Sequence, residues 1–340
     1  MWSNLPLFPE QASTVAGRVD ALYYFLVGVS AFFTVLIFML LFYFAVKYRR
    51  RASGELAKPV EPSIGLEITW MVIPLGIAMV MFVWGAREYF TLASPPENAL
   101  QMYAIGKQWM WKFQHLDGQR EINELHVPVG RPVKLTMTSQ DVIHSFYVPA
   151  FSVKQDVLPG RYTTVWFEAT KTGSYHLFCA EYCGTQHSGM IGRVVVMEPA
   201  EYEAWLSGQI REVPAVGQPP TAGPMGSLAA QGEKLFQQLA CNACHRMDTQ
   251  GLCPVLVGLY GRSVRLQNGA TVLADESYLR ESIVDPTAKI VANFQPIMPS
   301  FRDRVSEEDL LALIEYIKSL SRAQAPLPPR AMPAGERPSP

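Results

Sequence analysis

Two short stretches of this 340-residue chain concentrate side chains that can bind metals. The first, 176–190, reads HLFCAEYCGTQHSGM and contains two histidines, two cysteines, a glutamate and a methionine. The second, 241–245, reads CNACH. Thiolate, imidazole and thioether groups at such close spacing are typical ligands of soft transition metals. Both stretches are therefore candidate cofactor sites.

The C-x-x-C-H pattern of the second stretch predicts a covalently attached haem. Cys241 and Cys244 would bond to the haem vinyl groups, and His245 would be an axial ligand of the iron. A structural zinc site would need a second pair of ligands, but no histidine and only one cysteine follow His245. A thioredoxin-like redox motif would lie in a βαβ pattern, which the surrounding sequence lacks. The favoured interpretation is haem c.

The second axial ligand of this haem is predicted to be Met298. The methionines that follow the motif are Met247, Met298 and Met332. Met247 is two residues from the iron-binding histidine and cannot reach the opposite face, and Met332 lies in a proline-rich tail. Met298 lies in the sequence QPIMPSF, where two prolines should hold a loop before the last helix.

The first stretch can be interpreted as a disulfide or as a copper site. Two cysteines four residues apart in an oxidising compartment can pair, and taken alone they favour a disulfide. His187 follows Cys183 by four residues and Met190 comes three later, a mixture of ligands that selects copper. Two thiolates suit a pair of bridged coppers, which needs a second histidine. The candidates are His144, on an earlier predicted strand, and His176, on the strand that enters the stretch.

Two uncharged runs, 21–46 and 68–86, are long enough to cross a membrane as helices. The sequence KYRRR at 47–51 and Lys58 concentrate positive charge between them, which predicts a cytoplasmic loop and outward-facing termini. The first run is too long and too far from the start for an ordinary cleaved signal peptide. We therefore expect a transmembrane hairpin of two helices.

The rest of the chain divides into a β-rich and a helical part. Short β-rich runs separated by turn residues extend over about 101–197 and predict an antiparallel sandwich or barrel. The proline- and glycine-rich stretch 213–227 predicts an extended linker. Helical patterns at 228–240 and 306–320 predict a helical domain, and six prolines in the last fifteen residues predict disorder. The net charge of −1, without a basic stripe, gives no indication of nucleic-acid binding.

Together these motifs resemble a known family. The pattern H…C-x-E-x-C-x-x-x-H-x-x-M, with GKQWMWKF, DVIHSFYVPAF and LPGR, is similar to subunit II of cytochrome c oxidase over 21–199. The last part resembles a class I cytochrome c over 228–320, so the chain resembles bacterial subunits II that carry their own haem c domain. The resemblance implies a multidomain fold, with a two-helix transmembrane hairpin, an all-β cupredoxin domain and an all-α class I cytochrome c domain.

The resemblance also implies the ligands of a binuclear copper centre, copper A. Five residues would bind through their side chains, namely His144, Cys179, Cys183, His187 and Met190. Glu181 would bind through its backbone carbonyl, and its carboxylate would face a magnesium ion shared with subunit I.

Further residues take their expected roles from the same resemblance. The carbonyl of Pro254 would accept a hydrogen bond from His245, although the residue before this proline is Cys253, where the family commonly has glycine. Trp109 matches the aromatic residue at which donors inject electrons. Glu67 matches a glutamate that guards the entrance to a proton channel of subunit I.

The function implied is that of the electron-input subunit of a terminal respiratory oxidase, a multi-pass protein of the bacterial cell membrane. Its copper and haem domains would lie on the periplasmic or outer face. Electrons would pass from an external donor, such as a cytochrome c or a quinol–cytochrome c reductase, through haem c and copper A to the haem centres of subunit I. Oxygen reduction and proton pumping would take place there. The expected partners are subunit I, other oxidase subunits and membrane lipid, with no nucleic acid.

This chain alone should not reduce oxygen, because none of its six histidines lies in the two apolar runs. Two alternatives remain at this point. One is the electron-input subunit of a copper A-containing nitric oxide reductase, and the other is a copper-delivery assembly protein, which would have a thioredoxin-like architecture and no fused haem domain.

The predicted segments follow in chain order. They are an outward-facing N-terminal segment 1–20, transmembrane helix 21–46, cytoplasmic loop 47–65, transmembrane helix 66–87, cupredoxin domain 95–200, linker 201–227, cytochrome c domain 228–322 and disordered tail 323–340.

Overall fold

A computed structural model describes residues 9–52, 61–208, 227–245, 253–302 and 304–322 of the chain. The tail 323–340, most of the predicted linker and part of the predicted cytoplasmic loop lie outside these described residues.

Two long apolar helices, α1 (Ala16–Lys47) and α2 (Ile64–Ala93), form the N-terminal part. By length and composition both can cross a membrane, and their most apolar segments are not buried within the chain. Both helices continue beyond the predicted runs, because charged residues outside a hydrocarbon core can extend a helix. Arg18 near the start of α1 pairs with Glu88 near the end of α2 at 2.8 Å, so these two ends lie together.

The segment before α1 packs into the domain that follows α2. Ala12 and Val15 are buried in the core of that domain, and the backbone N–H of Ala12 donates to the carbonyl of Ala150 at 2.9 Å. Where α2 ends, the indole N–H of Trp166 donates to the carbonyl of Thr91 at 3.0 Å. The entry to α1 and the exit from α2 are therefore fixed on the same domain.

This domain is a β-sandwich of two five-stranded sheets around one hydrophobic core. The strands are β1 (Leu100–Lys107), β2 (Met110–His115), β3 (Arg120–Ile122), β4 (Glu124–Pro128), β5 (Pro132–Ser139), β6 (His144–Val148), β7 (Val153–Val157), β8 (Thr163–Glu168), β9 (Gly173–Cys179) and β10 (Ile191–Met197). We call the sheet with the order β3-β2-β1-β5-β8 the outer sheet, and the sheet with the order β4-β10-β9-β6-β7 the β9 sheet.

The strand pattern predicts an antiparallel sandwich or barrel, but the sandwich also contains parallel strand pairs. The pairs β1–β5 and β4–β10 are parallel, whereas the other pairs are antiparallel. Parallel neighbours need a crossover connection. Such long-range crossovers leave no mark in the alternation of apolar and polar residues along a single strand.

A short helix, α3 (Pro199–Leu206), corrects the predicted start of the linker at residue 201. Its side chains Tyr202 and Trp205 are buried in the sandwich core, so the cupredoxin domain extends at least to Leu206. The Trp205 ring stacks on the imidazole of His126, with 4.4 Å between centroids. Eight residues are too short for a strong helical pattern, and this helix is stabilised by packing rather than by its own propensity.

Beneath α3 lies a fully buried cluster of two histidines and a glutamate. One oxygen of Glu121 accepts a hydrogen bond from Nε2 of His115 at 2.6 Å, and the other accepts from Nδ1 of His126. The backbone N–H of His126 also donates to Glu121, at 3.1 Å. The other ring nitrogen of His115, Nδ1, is hydrogen-bonded to the hydroxyl of Tyr202, at 3.1 Å. The carboxylate is thus fully paired, which buried charge requires.

The C-terminal domain is helical apart from one small hairpin. Its elements are α4 (Leu228–Gln238), β11 (Ser263–Arg265), β12 (Thr271–Leu273), α5 (Glu276–Val284) and α6 (Glu307–Arg322). Helices α4 and α6 cross at Gly232, where an added Cβ would lie only 1.9 Å from the carbonyl oxygen of Ala312. Only glycine permits this close approach of two backbones.

Candidate copper and haem sites

Sulfur and imidazole groups converge at one end of the β9 sheet. Cys179 ends β9, and His144 begins the neighbouring strand β6, which pairs with β9 at Phe146 and Cys179. The loop between β9 and β10 then supplies Cys183, His187 and Met190, the last immediately before β10. Two adjacent strands and one loop therefore position the whole group.

Distances within the group match a compact ligand set. The Sγ atoms of Cys179 and Cys183 are 3.8 Å apart. Nδ1 of His144 lies 3.8 Å from the first sulfur, and Nδ1 of His187 lies 3.5 Å from the second. Sδ of Met190 is 3.8 Å from the Cys183 sulfur. The two imidazoles therefore flank the pair of thiols.

The two thiols are free rather than joined in a disulfide. Their 3.8 Å separation is far longer than a disulfide bond of about 2.05 Å. A thiolate binds a metal such as zinc at about 2.3 Å, so an ion between these sulfurs can contact both of them. The thiol of Cys179 also lies 3.3 Å from the carbonyl oxygen of Glu181, which points this carbonyl into the group. Thiolate, imidazole and thioether donors together suit copper.

The ionisation of the two thiols is coupled. Burial would raise the pKa of Cys179, but hydrogen bonding to His144 and to backbone groups outweighs it and lowers that pKa to about 6. Burial and the negative charge of Cys179 together raise the pKa of Cys183 to about 12. The Cys179 thiol therefore loses its proton more readily than the Cys183 thiol. Cations bound between them would release the proton of Cys183 as well.

Asp141 orients His144, and the sequence analysis missed this residue. Its Oδ1 lies 2.8 Å from Nε2 of His144, which leaves Nδ1 facing the thiols. The backbone N–H groups of Gln108 and Val142 donate to the same carboxylate, at 2.8 and 2.7 Å. Burial alone would raise the pKa of Asp141, but these hydrogen bonds lower it. A carboxylate that fixes the second nitrogen of a ligand histidine is a common feature of metal sites. An acidic residue three positions before His144 was the signal in the sequence that could have identified this role.

Gly106 makes room for the same imidazole. A Cβ at this position would lie 2.8 Å from Cδ2 of His144. The glycine that begins GKQWMWKF is therefore needed for the close approach of strand β1 to the histidine.

His176, the other candidate for the second histidine, lies away from the thiols. It is exposed, and its ring stacks on Phe178 with 5.6 Å between centroids. Side chains alternate between the faces of a strand, so a residue three positions before Cys179 points to the opposite face.

The second candidate site is an apolar crevice in the C-terminal domain. It encloses about 1120 Å³ including its open mouth, and its walls include Cys241, His245 and Met298. The imidazole Nδ1 of His245 donates to the carbonyl of Pro254 at 2.8 Å. Burial lowers the pKa of His245, which keeps the imidazole neutral and able to bind iron. The residues present therefore fit a covalently attached haem, and His245 and Met298 are the wall residues that would bind its iron.

The other cysteines of this domain have distinct positions. Cys244 is half-buried. Cys253 is buried in the crevice wall, and burial raises the pKa of its thiol, with Cys244 adding to the shift. A thiol held protonated is inert. Met247 and Met332, the rivals of Met298, lie outside the described residues.

Two segments of the chain match known protein families. Residues 116–198 match the family "Cytochrome C oxidase subunit II, periplasmic domain", and residues 227–317 match "Cytochrome C oxidase, cbb3-type, subunit III". Cytochrome c oxidase subunit 2 of Alkalihalophilus pseudofirmus is 33% identical over 305 residues, which cover 86% of this chain and 84% of that protein. The chain belongs to the cytochrome c oxidase subunit II family.

Other relatives of this subunit II chain agree in name. Cytochrome c oxidase subunit 2 of Thermostichus vulcanus is 31% identical over 253 residues, covering 58% of this chain and 77% of that protein. A crystal structure of the periplasmic domain of subunit II of cytochrome oxidase of Bradyrhizobium japonicum is 33% identical. The match covers 34% of this chain and 96% of the chain in that crystal structure, with a TM-score of 0.33.

The predicted family and fold class are confirmed, including the fused C-terminal cytochrome c domain. The periplasmic domain of subunit II implies copper A, and the cytochrome c domain implies haem c. The two apolar helices and this periplasmic domain indicate a membrane-anchored protein.

Trp109 and Glu67, two further predicted functional residues, lie in different parts of the subunit II chain. Trp109 is half-buried, and its indole N–H donates to the carbonyl of Cys183 at 3.2 Å, so it touches the loop that holds the thiols. Glu67 lies in the first turn of α2, four residues after the N-cap Ser63. It is separated from the copper and haem sites by the length of that helix.

Replacing Met298 with alanine should leave the haem covalently attached but remove its sixth ligand. The haem midpoint potential should fall, because a methionine ligand raises it. Redox titration and the spin state of the oxidised haem measure this effect. Ile297→Ala, which truncates an exposed neighbour, is the control. An unchanged potential and spin state in Met298→Ala would show that another residue binds the iron.

Proposed function

We propose that this chain is the electron-input subunit of a terminal respiratory oxidase. It passes electrons from an external carrier through haem c and binuclear copper A to the haem centres of subunit I. The observation that carries the proposal is the convergence of two free thiols, two imidazoles and a thioether in a chain that also carries a haem-attachment motif beside a fitting crevice. The names of the relatives support subunit I and other oxidase subunits as partners.

The ligands proposed for copper A are His144, Cys179, Cys183, His187, Met190 and the carbonyl of Glu181. When bound, copper A and haem c each supply one-electron chemistry. The protein holds the copper ligands in place before any electron arrives. Asp141 fixes the His144 ring through Nε2, and the buried ring of Trp111 packs against it with 6.1 Å between centroids. A rigid and dry ligand set reorganises little when its charge changes.

The haem ligands proposed are His245 and Met298, with Cys241 and Cys244 as attachment points. Pro254 holds the histidine ring through its carbonyl, so the iron-facing nitrogen keeps one direction. The apolar walls of the crevice would keep water away from a bound haem, which would supply one-electron chemistry there.

Trp109 is proposed as the residue through which electrons enter the copper loop, because its indole binds the carbonyl of Cys183 directly. The exposed side chain of Glu181 is proposed as a ligand of a magnesium ion at the contact with subunit I. The positive charges after α1 support a cytoplasmic loop, with both cofactor domains on the periplasmic side of a bacterial cell membrane.

The proposal is tested on the purified oxidase complex by following haem c and copper A after rapid reduction. We expect electrons to pass from haem c to copper A and then to oxygen, with Trp109→Phe slowing the first transfer. Consumption of nitric oxide instead of oxygen would identify a nitric oxide reductase. The β-sandwich and the fused cytochrome c domain already differ from the thioredoxin-like architecture of a copper-delivery protein.

Glu67 is proposed to admit protons at the cytoplasmic start of α2. Glu67→Gln should slow steady-state oxygen consumption and proton uptake while copper and haem contents stay normal. Electron transfer between haem c and copper A should be unchanged, because both sites lie at the opposite end of the helix. Glu61→Gln, which alters an exposed glutamate before α2, is the control. If Glu67→Gln turned over at the wild-type rate, the role of Glu67 would be limited to stabilising the N-terminus of α2 with its negative charge.

A further inference from the structure

Strand β1 buries apolar side chains on both of its faces. Met102 and Ala104 point into the sandwich core. Tyr103 and Ile105 point to the opposite face, yet their exposed fractions are only 1% and 0%. They pack against residues at the start of α4 and in the first half of α6, namely Leu228, Leu311 and Ala312. The cytochrome c domain therefore covers the outer sheet at its central strand.

A buried group of charged side chains lies at this contact. We call it the Lys318 cluster; it consists of Lys318, Glu315, Glu276, Tyr260 and Tyr103. The ammonium of Lys318 lies 2.5 Å from Glu315 and 3.1 Å from Glu276. The side chains of Lys318 and Glu315 are each 3% exposed. Buried charges are retained only where they are paired and hydrogen-bonded.

Tyr103 is the one member of the Lys318 cluster that comes from the cupredoxin domain. Its hydroxyl donates to Glu315 at 2.5 Å and accepts from Lys318 at 3.3 Å. Tyr260, from the cytochrome c domain itself, donates in the same way to Glu276 at 2.6 Å. The cluster is therefore completed across the contact by a single hydroxyl group. Directional hydrogen bonds to buried charges select one orientation of the two surfaces, which apolar packing alone does not.

A second polar contact extends towards the copper ligands. Glu308, in the first turn of α6, accepts from Lys112 at 2.7 Å and from the side chain of Gln140 at 2.9 Å. Gln140 immediately precedes Asp141, the residue that holds His144. The start of α6 is thus fixed against the loop that orients a proposed copper ligand.

A third polar contact fixes α5, which forms one wall of the haem crevice. The guanidinium of Arg280 donates to the carbonyl of Gly160 at 2.8 Å and pairs with Glu307 at 2.5 Å. Arg280 also lies over the ring of Tyr162, at 5.9 Å from its centroid. The crevice wall therefore has its own attachment to the cupredoxin domain.

We infer that the cytochrome c domain is docked on the outer sheet in one fixed orientation, independently of the peptide that joins the two domains, and that Tyr103 is a positioning residue for this docking. The inference goes beyond the proposed function, because docking can be measured without any electron transfer. A domain held in this way keeps the haem at one distance from the copper site, whereas a tethered domain would have to diffuse back after each encounter.

The inference is tested by cutting the connection between α3 and α4. A protease recognition sequence is inserted between residues 209 and 226 of the full chain, and the purified, cofactor-loaded complex is cleaved. We expect the haem-bearing fragment to stay with the copper-bearing fragment in gel filtration. If the peptide alone held the haem close, cleavage would lower haem-to-copper transfer by about 100-fold or more at micromolar protein. Separation of the wild-type fragments would overturn the inference.

Two tyrosine variants assign the docking to the hydroxyl of Tyr103. Tyr103→Phe keeps the apolar packing and should weaken association of the cleaved fragments by about 10- to 100-fold, because a hydrogen bond to a buried charge is lost. Tyr260→Phe removes a hydroxyl from the same cluster without crossing the contact, and should leave association unchanged. Haem and copper spectra verify that both variants fold. Equal association of the cleaved fragments in the two variants would show that Tyr103 is not a positioning residue. Failure of electron transfer in the intact protein would instead count against the proposed function.

Discussion

Cys183→Ser should abolish the binuclear copper centre while the haem remains attached. Cys183 lies within 3.8 Å of the other thiol, of His187 and of Met190, so it contacts three other members of the ligand group. A serine hydroxyl is a hard, protonated group at neutral pH and cannot replace a bridging thiolate. We expect copper content and the visible copper bands to fall to background, measured by metal analysis and absorption of the purified protein.

The matched control for this variant is His176→Ala. This histidine lies in the same stretch of sequence but is exposed and stacks on Phe178, away from the thiols. Its loss should leave copper content unchanged. Equal copper loss in both variants would mean that His176, rather than His144, supplies the second imidazole, and full copper content in Cys183→Ser would reject the two-thiolate centre.

Glu121→Gln should destabilise the cupredoxin domain by about 3–5 kcal/mol, the usual cost of removing one partner from a buried ion pair or its equivalent. The carboxylate accepts hydrogen bonds from His115, from the His126 ring and from the His126 backbone. An amide offers one oxygen and places a donor opposite another donor. Chemical unfolding followed by tryptophan fluorescence measures the change, since Trp205 stacks on His126.

The pH dependence of stability gives a second measurement of the same carboxylate. Burial alone would raise the pKa of Glu121, but the hydrogen bonds from His115 and His126 outweigh it, and the pKa is lowered. A lowered pKa stabilises the fold above the pKa of the unfolded chain, about 4.3, and this contribution is lost as the pH falls through the lower folded value. In Glu121→Gln this contribution is absent, so the free energy of unfolding should no longer show this decrease as the pH falls through that range.

Glu10→Gln is the control for Glu121. Glu10 pairs with Lys171, their side chains are 64% and 52% exposed, and such surface pairs contribute about 0–1 kcal/mol. A loss in Glu121→Gln no larger than in this control would show that the buried cluster contributes little to stability.

The two cofactor motifs were predictable from sequence because their residues are local. Cys179 to Met190 occupy one strand end and one loop, and CNACH spans five residues. The distinction between His144 and His176 needed the pairing of β6 with β9, which spacing alone leaves open. Asp141 was missed because its role depends on the direction of an imidazole nitrogen. Neither the type of a residue nor its spacing from the histidine in the sequence shows in which direction that nitrogen points.

The contact between the domains was not predicted, although β1 carried a signal. Met102, Tyr103, Ala104 and Ile105 form a continuous apolar run rather than an alternating one, which is typical of a strand covered on both faces. What covers the second face could not be read from the run, because Lys318 and Tyr103 are 215 residues apart. The helix α3 was placed in the linker for a related reason, since only its packing against His126 and the sandwich identifies it as part of the domain.

The 215-residue separation between Tyr103 and Lys318 also sets an order of events during synthesis. Chains grow at about 5–20 residues per second, so β1 leaves the ribosome about 10–40 s before the helix that covers it. The sandwich can complete both sheets in that interval, but the outer face of β1 stays open to water and to other nascent chains. Maturation of this protein therefore passes through a form with a finished cupredoxin fold and an uncovered apolar strand. The helix that covers this strand, α6, is the last one in the described part of the chain.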